Sequence, residues 1–276
     1  NALSAFDVSD FDLERLVCYT NTMTSLILGD QSGLRYLSCF GTDLVTLDLR
    51  GCPRLLDCYY NGTKTVAANY VEYKVDNTHL LRVDAGTELI IPGMIRVDEA
   101  HFPDTAFRAY VSENFDTNNS GWLSAEEIMA LDEDDNPKSV DMYNAGVTSL
   151  EGIQYLTELR VVNVSGSPSL TAVDLSGNTK LRSISFYQTG ITGLNVSGLA
   201  LTHLSCDDAP LTALTLAFPP DLRGLSCYHT DLMTVDITGC PHLIEAWLGE
   251  KITEDGIDNY ESGSCYLYVN EGSAII

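Results

Sequence analysis

The residues best suited to chemistry lie between Asp116 and Glu127, in the segment DTNNSGWLSAEE. Oxygen-bearing side chains recur at alternate positions, Asp116, Asn118 and Ser120; Gly121 follows, and Glu127 closes the segment. That spacing suits a calcium ion, which takes hard oxygen donors at alternate positions, a glycine for the sharp turn and a distal carboxylate able to bind through both oxygens. Trp122 would lend its carbonyl, and Ser124 would act directly or through a water. Ser120 departs from the Asp or Asn of the template, and only Asp116 and Glu127 bring negative charge. The donor set therefore predicts weak binding, in roughly the millimolar range.

The other reactive side chains point away from catalysis. Eight cysteines and five histidines are present. They form no Cys-x-x-Cys pair, no nucleophile with a histidine partner motif and no sequence motif for a metal triad, and no glycine loop is present to cradle phosphate. Asp208 and His229 would meet on neighbouring segments, but one such pair is ordinary surface chemistry. The expected class is non-catalytic. Cys18, Cys39, Cys206 and Cys227 recur at one place in repeating units, which predicts stacked, buried thiols acting as small hydrophobes. Cys52 and Cys240 match each other in a Gly-Cys-Pro turn, and Cys58 aligns with Ala246, so a Cys52–Cys58 bridge is not required. Free thiols are favoured over a disulfide framework.

Two further columns of side chains are suited to recognition. Tyr19, Phe40, Tyr187 and Tyr228 each follow an inward Cys or Phe, with Asp207 interrupting the series. Arg35, Arg160, Arg182 and Arg223 each follow the leucine that opens a unit, and are expected to stand in a column on one face. Aromatic and arginine side chains are the usual anchors of binding surfaces, whereas the uniform Thr24, Thr171, Thr192, Thr212 and Thr234 read as scaffold. Two readings stay open: a recognition face for a protein or glycan, or arginines paired with local acids and tyrosines shielding backbone.

The elements that must position these residues are repeats. Leu34–Leu55, LRYLSCFGTDLVTLDLRGCPRL, and Leu222–Leu243, LRGLSCYHTDLMTVDITGCPHL, share 14 of 22 positions. Units open at Leu13, Leu34 and Leu55, and again at Leu159, Leu181, Leu201, Leu222 and Leu243. Their spacing of roughly 20 to 22 residues lies in the leucine-rich-repeat range. Each reads L-x-x-L-x-C-x-x-N/T-x-L, a spacing of three then two that fits a short strand entered from a turn, not a helix stripe. One such unit cannot bury its apolar side alone, so neighbours must stack into a solenoid with a parallel β ladder. The fold class is α/β.

The repeats divide into two modules. Residues 1–93 open in mid-repeat, as LSAFDVS matches LTAVDLS at Leu170, and end in an irregular stretch closed by Pro92-Gly93. A module that starts so reads as an excised piece of a longer tandem protein. Residues 94–276 begin with a helical cap (94–144), continue as repeats (145–248) and end in a second irregular stretch (249–276). LRVDAGTELII at Leu81 and LYVNEGSAII at Leu267 match, so both modules are expected to close in β-hairpin-like terminal caps. Within the helical cap, Phe102, Phe107, Tyr110 and Val111 have helical spacing, and Ser124 with Glu127 is a capping box opening a second helix. The calcium-loop segment would thus join two helices.

The pattern resembles the leucine-rich repeats of bacterial surface proteins of the internalin type, in the 21-residue variant with cysteine in an inward leucine position, across most of residues 1–60 and 140–250. The resemblance implies an extracellular or cell-surface protein, an EF-hand-like N-terminal cap on the second module, and a binding or adhesion role for a protein or glycan partner. It also implies that a cap loop of this kind can keep its shape without holding an ion. A structural spacer between surface domains, stiffened by calcium, is the alternative role.

The formal charge is −24, from 39 acidic and 15 basic residues. Such a balance excludes a nucleic-acid footprint, and no apolar run is long enough to span a bilayer. Residues 94–137 carry −9 and 243–276 carry −6, against −5 for 1–93 and −4 for 138–242. Acidity is concentrated away from the repeats, so it dictates no acidic ligand-binding face.

Overall fold

A computed structural model describes residues 4–129, 139–217 and 219–276. The chain divides into two compact units, Asn1–Met94 and Ile95–Ile276.

In unit 2, the strands Ser139–Asp141, Val161–Asn163, Ser183–Ser185, His203–Ser205 and Gly224–Cys227 pair in parallel, each with the next. Their registers step by 22, 22, 20 and 21 residues. The central residue of each strand points inward, so Val140, Val162, Ile184, Leu204 and Leu225 stack in one buried file, each at most 1% exposed. A side chain of this size gains about 1.5–3 kcal/mol from burial, and only stacked neighbours provide it. Registers and stacking together make a leucine-rich-repeat-type α/β solenoid. The first of these strands lies inside the 94–144 stretch assigned to the helical cap, so the ladder begins before residue 145.

The ladder ends in a change of direction. Cys265–Asn270 pairs in parallel with Gly224–Cys227, and then Ile257–Ser262 and Glu250–Glu254 add antiparallel strands. Unit 1 repeats the arrangement in shorter form. Arg15–Val17, Tyr36–Ser38 and Leu80–Asp84 run parallel, and Tyr70–Lys74 and Thr63–Val66 follow antiparallel.

A second wall of strands had not been expected. Ala5–Asp7 pairs with Ser25–Ile27, Thr46–Asp48 with Glu88–Ile90, Gly193–Asn195 with Ala213–Thr215, and Thr234–Val235 with Ala274–Ile275, all in parallel. Of the threonines read as scaffold, Thr24, Thr192 and Thr212 immediately precede such strands and Thr234 opens one; the Thr212 amide and hydroxyl both donate to the Thr192 carbonyl.

Four α-helices complete the described residues: α1 (Pro53–Asn61), α2 (Thr105–Asn114), α3 (Ala125–Met129) and α4 (Pro241–Trp247). The Gly-Cys-Pro segments are therefore helix starts and not simple turns. Cys52 and Cys240 hold the N-cap positions, and proline follows, where its missing N–H costs nothing. Helix α2 starts later than the spacing suggested; Phe102 is buried before it, and Asp104 caps it by accepting from the Phe107 amide at 2.8 Å. The rest of the expected second helix, beyond Met129, lies outside the described residues. No described helix is long and apolar enough to cross a membrane. All eight cysteines are free thiols, and only Cys18 is not fully buried.

Each turn leaves its strand through one left-handed residue. Thr20, Asn144, Gln188, Asp208 and His229 have φ between 51° and 57°, and Gly41 and Gly166 occupy the same place at 70° and 71°. A Cβ on Gly166 would lie 2.0 Å from the Asn144 Oδ1 of the preceding turn, so glycine is required there by space as well as by φ.

Candidate functional site

The residue before this left-handed corner is the aromatic position of each unit, and in unit 1 it builds a continuous file. Tyr19, half exposed at 51%, stacks on Phe40 with centroids 5.6 Å apart and planes 22° from parallel. Phe40 in turn meets Tyr70 at 5.6 Å. The Arg82 guanidinium lies 5.0 Å from the Tyr70 ring and 5.5 Å from that of Phe40, and is held there by an ion pair with Glu72. Beside this file, Arg15 sits 3.7 Å over the Tyr36 ring. Tyr70, Arg82, Arg15 and Tyr36 extend the predicted pair Tyr19–Phe40. Tyr70 and Arg82 reach it through the antiparallel registers Tyr70↔Asp84 and Glu72↔Arg82, which no repeat spacing discloses.

In unit 2 the corresponding positions are Tyr143, Ser165, Tyr187, Asp207, Tyr228 and Asn270, so Tyr143, exposed at 60%, extends the predicted series. Asp207 interrupts it for a structural reason. Its carboxylate turns onto neighbouring strands, accepting from the Ser205 hydroxyl at 3.0 Å, the Ser226 hydroxyl at 2.7 Å and the Tyr228 amide at 3.0 Å. Burial raises its pKa, the three hydrogen bonds opposing the shift. Burial, then the Asp207 and Asp208 carboxylates, raise the Tyr228 phenol, and burial and Asp208 raise that of Tyr187. All three shifts favour the neutral form. The His229 ring meets Tyr228 edge-on at 5.0 Å, and its Nδ1 lies 2.9 Å from Asp208 Oδ1.

A second aromatic cluster stands on the last strand of the ladder. Tyr266 and Tyr268 stack at 4.9 Å, and His203 approaches Tyr266 at 6.2 Å. Gly224 makes the room: a Cβ there would lie 2.3 Å from the Tyr266 ring. The Tyr268 hydroxyl is hydrogen-bonded to Glu261; burial and that bond push its pKa up to about 12. Tyr-Leu-Tyr-Val already alternates in the sequence, but its match to the unit 1 ending had assigned it to a cap.

The arginine column does not share the aromatic border. Arg35, Arg160, Arg182 and Arg223 each precede a strand, and the aromatics follow it, so a three- or four-residue strand separates the two sets. Between them runs a small, polar strip that includes Asn163, Ser185, Ser205 and Ser226. Arg35 pairs with Glu14 at 2.7 Å. Arg182 donates to the Leu181 and Ala200 carbonyls at 3.2 and 3.1 Å. Arg35 is thus paired with a local acid, and Arg182 is bound to backbone carbonyls instead.

The Asp116–Glu127 segment joins α2 to α3. Asp116 and Glu127 are 2% and 7% exposed, and Gly121 turns the chain at φ 82°. Asp116 Oδ1 accepts from the Ser120 amide at 2.9 Å and Oδ2 from the Gly121 amide at 2.8 Å. Asn118 Oδ1 accepts from the same Ser120 amide, and the Ser120 hydroxyl donates to the Trp122 carbonyl at 3.2 Å. Ser124 and Glu127 form the capping box: the Ser124 amide donates to Glu127 Oε2 at 3.0 Å and the Glu127 amide to Ser124 Oγ at 3.1 Å. The short strand Trp122–Leu123 pairs antiparallel with Ile95–Arg96. The oxygen-only donor set fits a calcium ion.

No family model matches the chain, and none of the curated proteins does. Two solved structures from Listeria monocytogenes are similar to part of it. The functional domain of InlJ, which includes a cysteine ladder, is 29% identical over 54% of this chain and 32% of its own, with a TM-score of 0.48. Internalin C2 is 20% identical over 54% of this chain and 85% of its own, with a TM-score of 0.35. The chain spans about a third of the InlJ domain's length. With both TM-scores below one half, the functional reading rests on this chain's own geometry.

Proposed function

We propose that the chain is a non-catalytic binding module of a bacterial cell-surface or secreted protein, which takes a protein or glycan ligand on the aromatic border of its ladder. The observation that carries this reading is the file Tyr19–Phe40–Tyr70, its first ring exposed and the other two half-buried, with Arg82 beside two of its rings. The core does not require those rings, and their stacking holds them in place before a ligand arrives, which lowers the ordering cost of binding. Desolvation by a partner would strengthen each cation–π contact from about 0.5–1 to about 2 kcal/mol. Tyr187 and Tyr228 occupy the same position, before the left-handed corner, in unit 2.

The test is capture on glycan and extracellular-protein arrays. A hit should be lost in the combined variant Tyr19→Ala, Phe40→Ala, Arg82→Ala, or in Tyr187→Ala, Tyr228→Ala, Arg182→Ala, Arg223→Ala. The lost set identifies the unit that binds. Capture unchanged in both variants, or no capture by the parent, overturns the reading.

A second reading, a spacer between surface domains stiffened by calcium, is supported by the two buried carboxylates and the all-oxygen donor set of the 116–127 loop. Asp116, Asn118, Ser120 and Glu127 would hold the ion with side-chain oxygens, Trp122 with its carbonyl and Ser124 directly or through water. An ion there would tie α2 to α3 and, through Trp122–Leu123, to Ile95–Arg96. At calcium one hundredfold above its Kd, unit 2 should melt roughly 5–10 °C higher than in chelator, with Asp116→Asn abolishing most of the rise. Identical melting in calcium and chelator removes the ion from the account.

A further inference from the structure

The last helix and the closing hairpin of unit 2 bring together three side chains of different chemistry. His242 and Glu245 stand three residues apart on α4 and so share one face. Cys265 opens the strand Cys265–Asn270, buried on the core side with Leu267 and Val269. One donor atom from each of the three lies within 4.8 Å of the other two. The thiol is 5% exposed, the imidazole is partly covered, and the Glu245 carboxylate reaches solvent, with His242 Nδ1 3.9 Å from its Oε2.

We propose that His242, Glu245 and Cys265 form a zinc site, with a water as the fourth ligand. Zinc is bound at about 2.3 Å by sulfur, 2.0–2.1 Å by imidazole nitrogen and 2.0–2.2 Å by carboxylate oxygen, so tetrahedral donors stand roughly 3.3–3.8 Å apart. Contraction by about an ångström closes the set, and the exposed Glu245 side chain is free to supply much of it by rotation. The donor mixture chooses the metal: calcium and magnesium take oxygen alone, whereas a thiolate with an imidazole suits a borderline-soft ion. On binding, the Cys265 thiol gives its proton to solvent and the thiolate sulfur bonds the metal; no electron changes hands. The ion would staple α4 to the hairpin that ends the ladder.

Unit 1 provides an internal control. The matching helix α1 carries Arg54 and Asp57 where α4 carries His242 and Glu245, and, one residue before the strand positions matched by the ladder registers, His79 takes the place of Cys265. Arg54 is permanently charged and donates to the Ser32 carbonyl at 3.2 Å, so it cannot be a ligand. His79 is turned to Asp76, 3.2 Å away. The architecture therefore closes without the triad, so the fold does not require these three side chains in unit 2.

The full chain, stripped of transition metals and kept in calcium, tests this by titration with cobalt(II) and zinc. Cobalt should produce the near-ultraviolet charge-transfer band of a thiolate ligand, and one equivalent of zinc should displace it. Cys265→Ser and His242→Arg should each abolish the band, and Cys240→Ser should leave it. His242→Arg installs the residue that unit 1 already tolerates, so it remains decisive if Cys265→Ser fails to fold. Zinc affinity should fall at least roughly tenfold in His242→Arg, and the zinc-induced rise in melting temperature should vanish with it. A parent protein that gives no band, or a band that persists in both variants, overturns the site.

Discussion

Asn178→Ala should lower the stability of unit 2 by about 2 kcal/mol, which for a unit of this size means melting roughly 4–8 °C earlier. Asn178 has no exposed surface, and its amide nitrogen donates to the Ile153 carbonyl at 2.8 Å and the Leu156 carbonyl at 2.9 Å. Alanine removes both of these bonds, at about 0.5–1.5 kcal/mol each, while the Ile153 carbonyl keeps the Leu156 amide at 3.0 Å and the Leu156 carbonyl the Leu159 amide at 3.3 Å. The Asn178 Oδ1 is itself unpartnered, so its removal offsets part of that cost. Gln31 does the same work in unit 1, three residues before Leu34 as Asn178 is before Leu181. Its nitrogen donates to the Val8 and Phe11 carbonyls, and its oxygen accepts from the Leu13 amide. Calorimetry of Asn178→Ala and Gln31→Ala checks the point, and a loss under about 1 kcal/mol in either would show that a water takes over the amide's bonds.

Asp104→Ala should cost about 3 kcal/mol and detach α2 from the repeats, because one carboxylate does two things. Its Oδ1 caps α2, while Oδ2 accepts from the Thr148 amide at 2.8 Å, the Thr148 hydroxyl at 2.7 Å and the Ser149 amide at 3.3 Å. A lost cap costs about 1 kcal/mol, and hydrogen bonds to a charged group contribute about 1.5–3 kcal/mol each, less what solvent restores. Burial alone would raise the Asp104 pKa, but the bonds from Phe107, Thr148 and Ser149 prevail and lower it. Because the folded pKa lies below the unfolded one of about 3.9, this contribution is complete above that value and is lost as pH falls through the lowered folded pKa. Between pH 7 and pH 3, therefore, the stability gap between parent and Asp104→Asn should narrow. A gap independent of pH would mean that the carboxylate's charge is irrelevant to the junction.

The repeats were legible because inward leucines and cysteines recur at a spacing that only stacked short strands satisfy. The capping box at Ser124 and Glu127 was legible for a similar reason, since its partners are three residues apart. What stayed hidden depends on contacts across turns. The second wall consists of two- and three-residue strands such as Thr234–Val235, too brief to impose a period. Helices α1 and α4 were concealed because cysteine, an unusual N-cap, precedes their proline. In the candidate site, the aromatic positions were visible but their surroundings were not. Asp207 folds back because Ser205 and Ser226 lie beside it on adjacent strands, and Arg82 joins the aromatic file because Glu72 stands opposite.

The steps of 20 to 22 residues between paired strands have a mechanical consequence. Hydrogen bonds between parallel strands point along the stack, so a load pulling the stack end from end is carried by a few bonds in series with the next few, never by all at once. Such a fibre yields by unzipping one turn at a time, and each turn freed pays out about 70 Å of chain. The reversal of direction at the end, where three longer strands interlock through Cys265–Asn270, places the most bonds at the terminus from which peeling would otherwise start. Unit 2 is thus built to give way gradually under tension while its last turn holds.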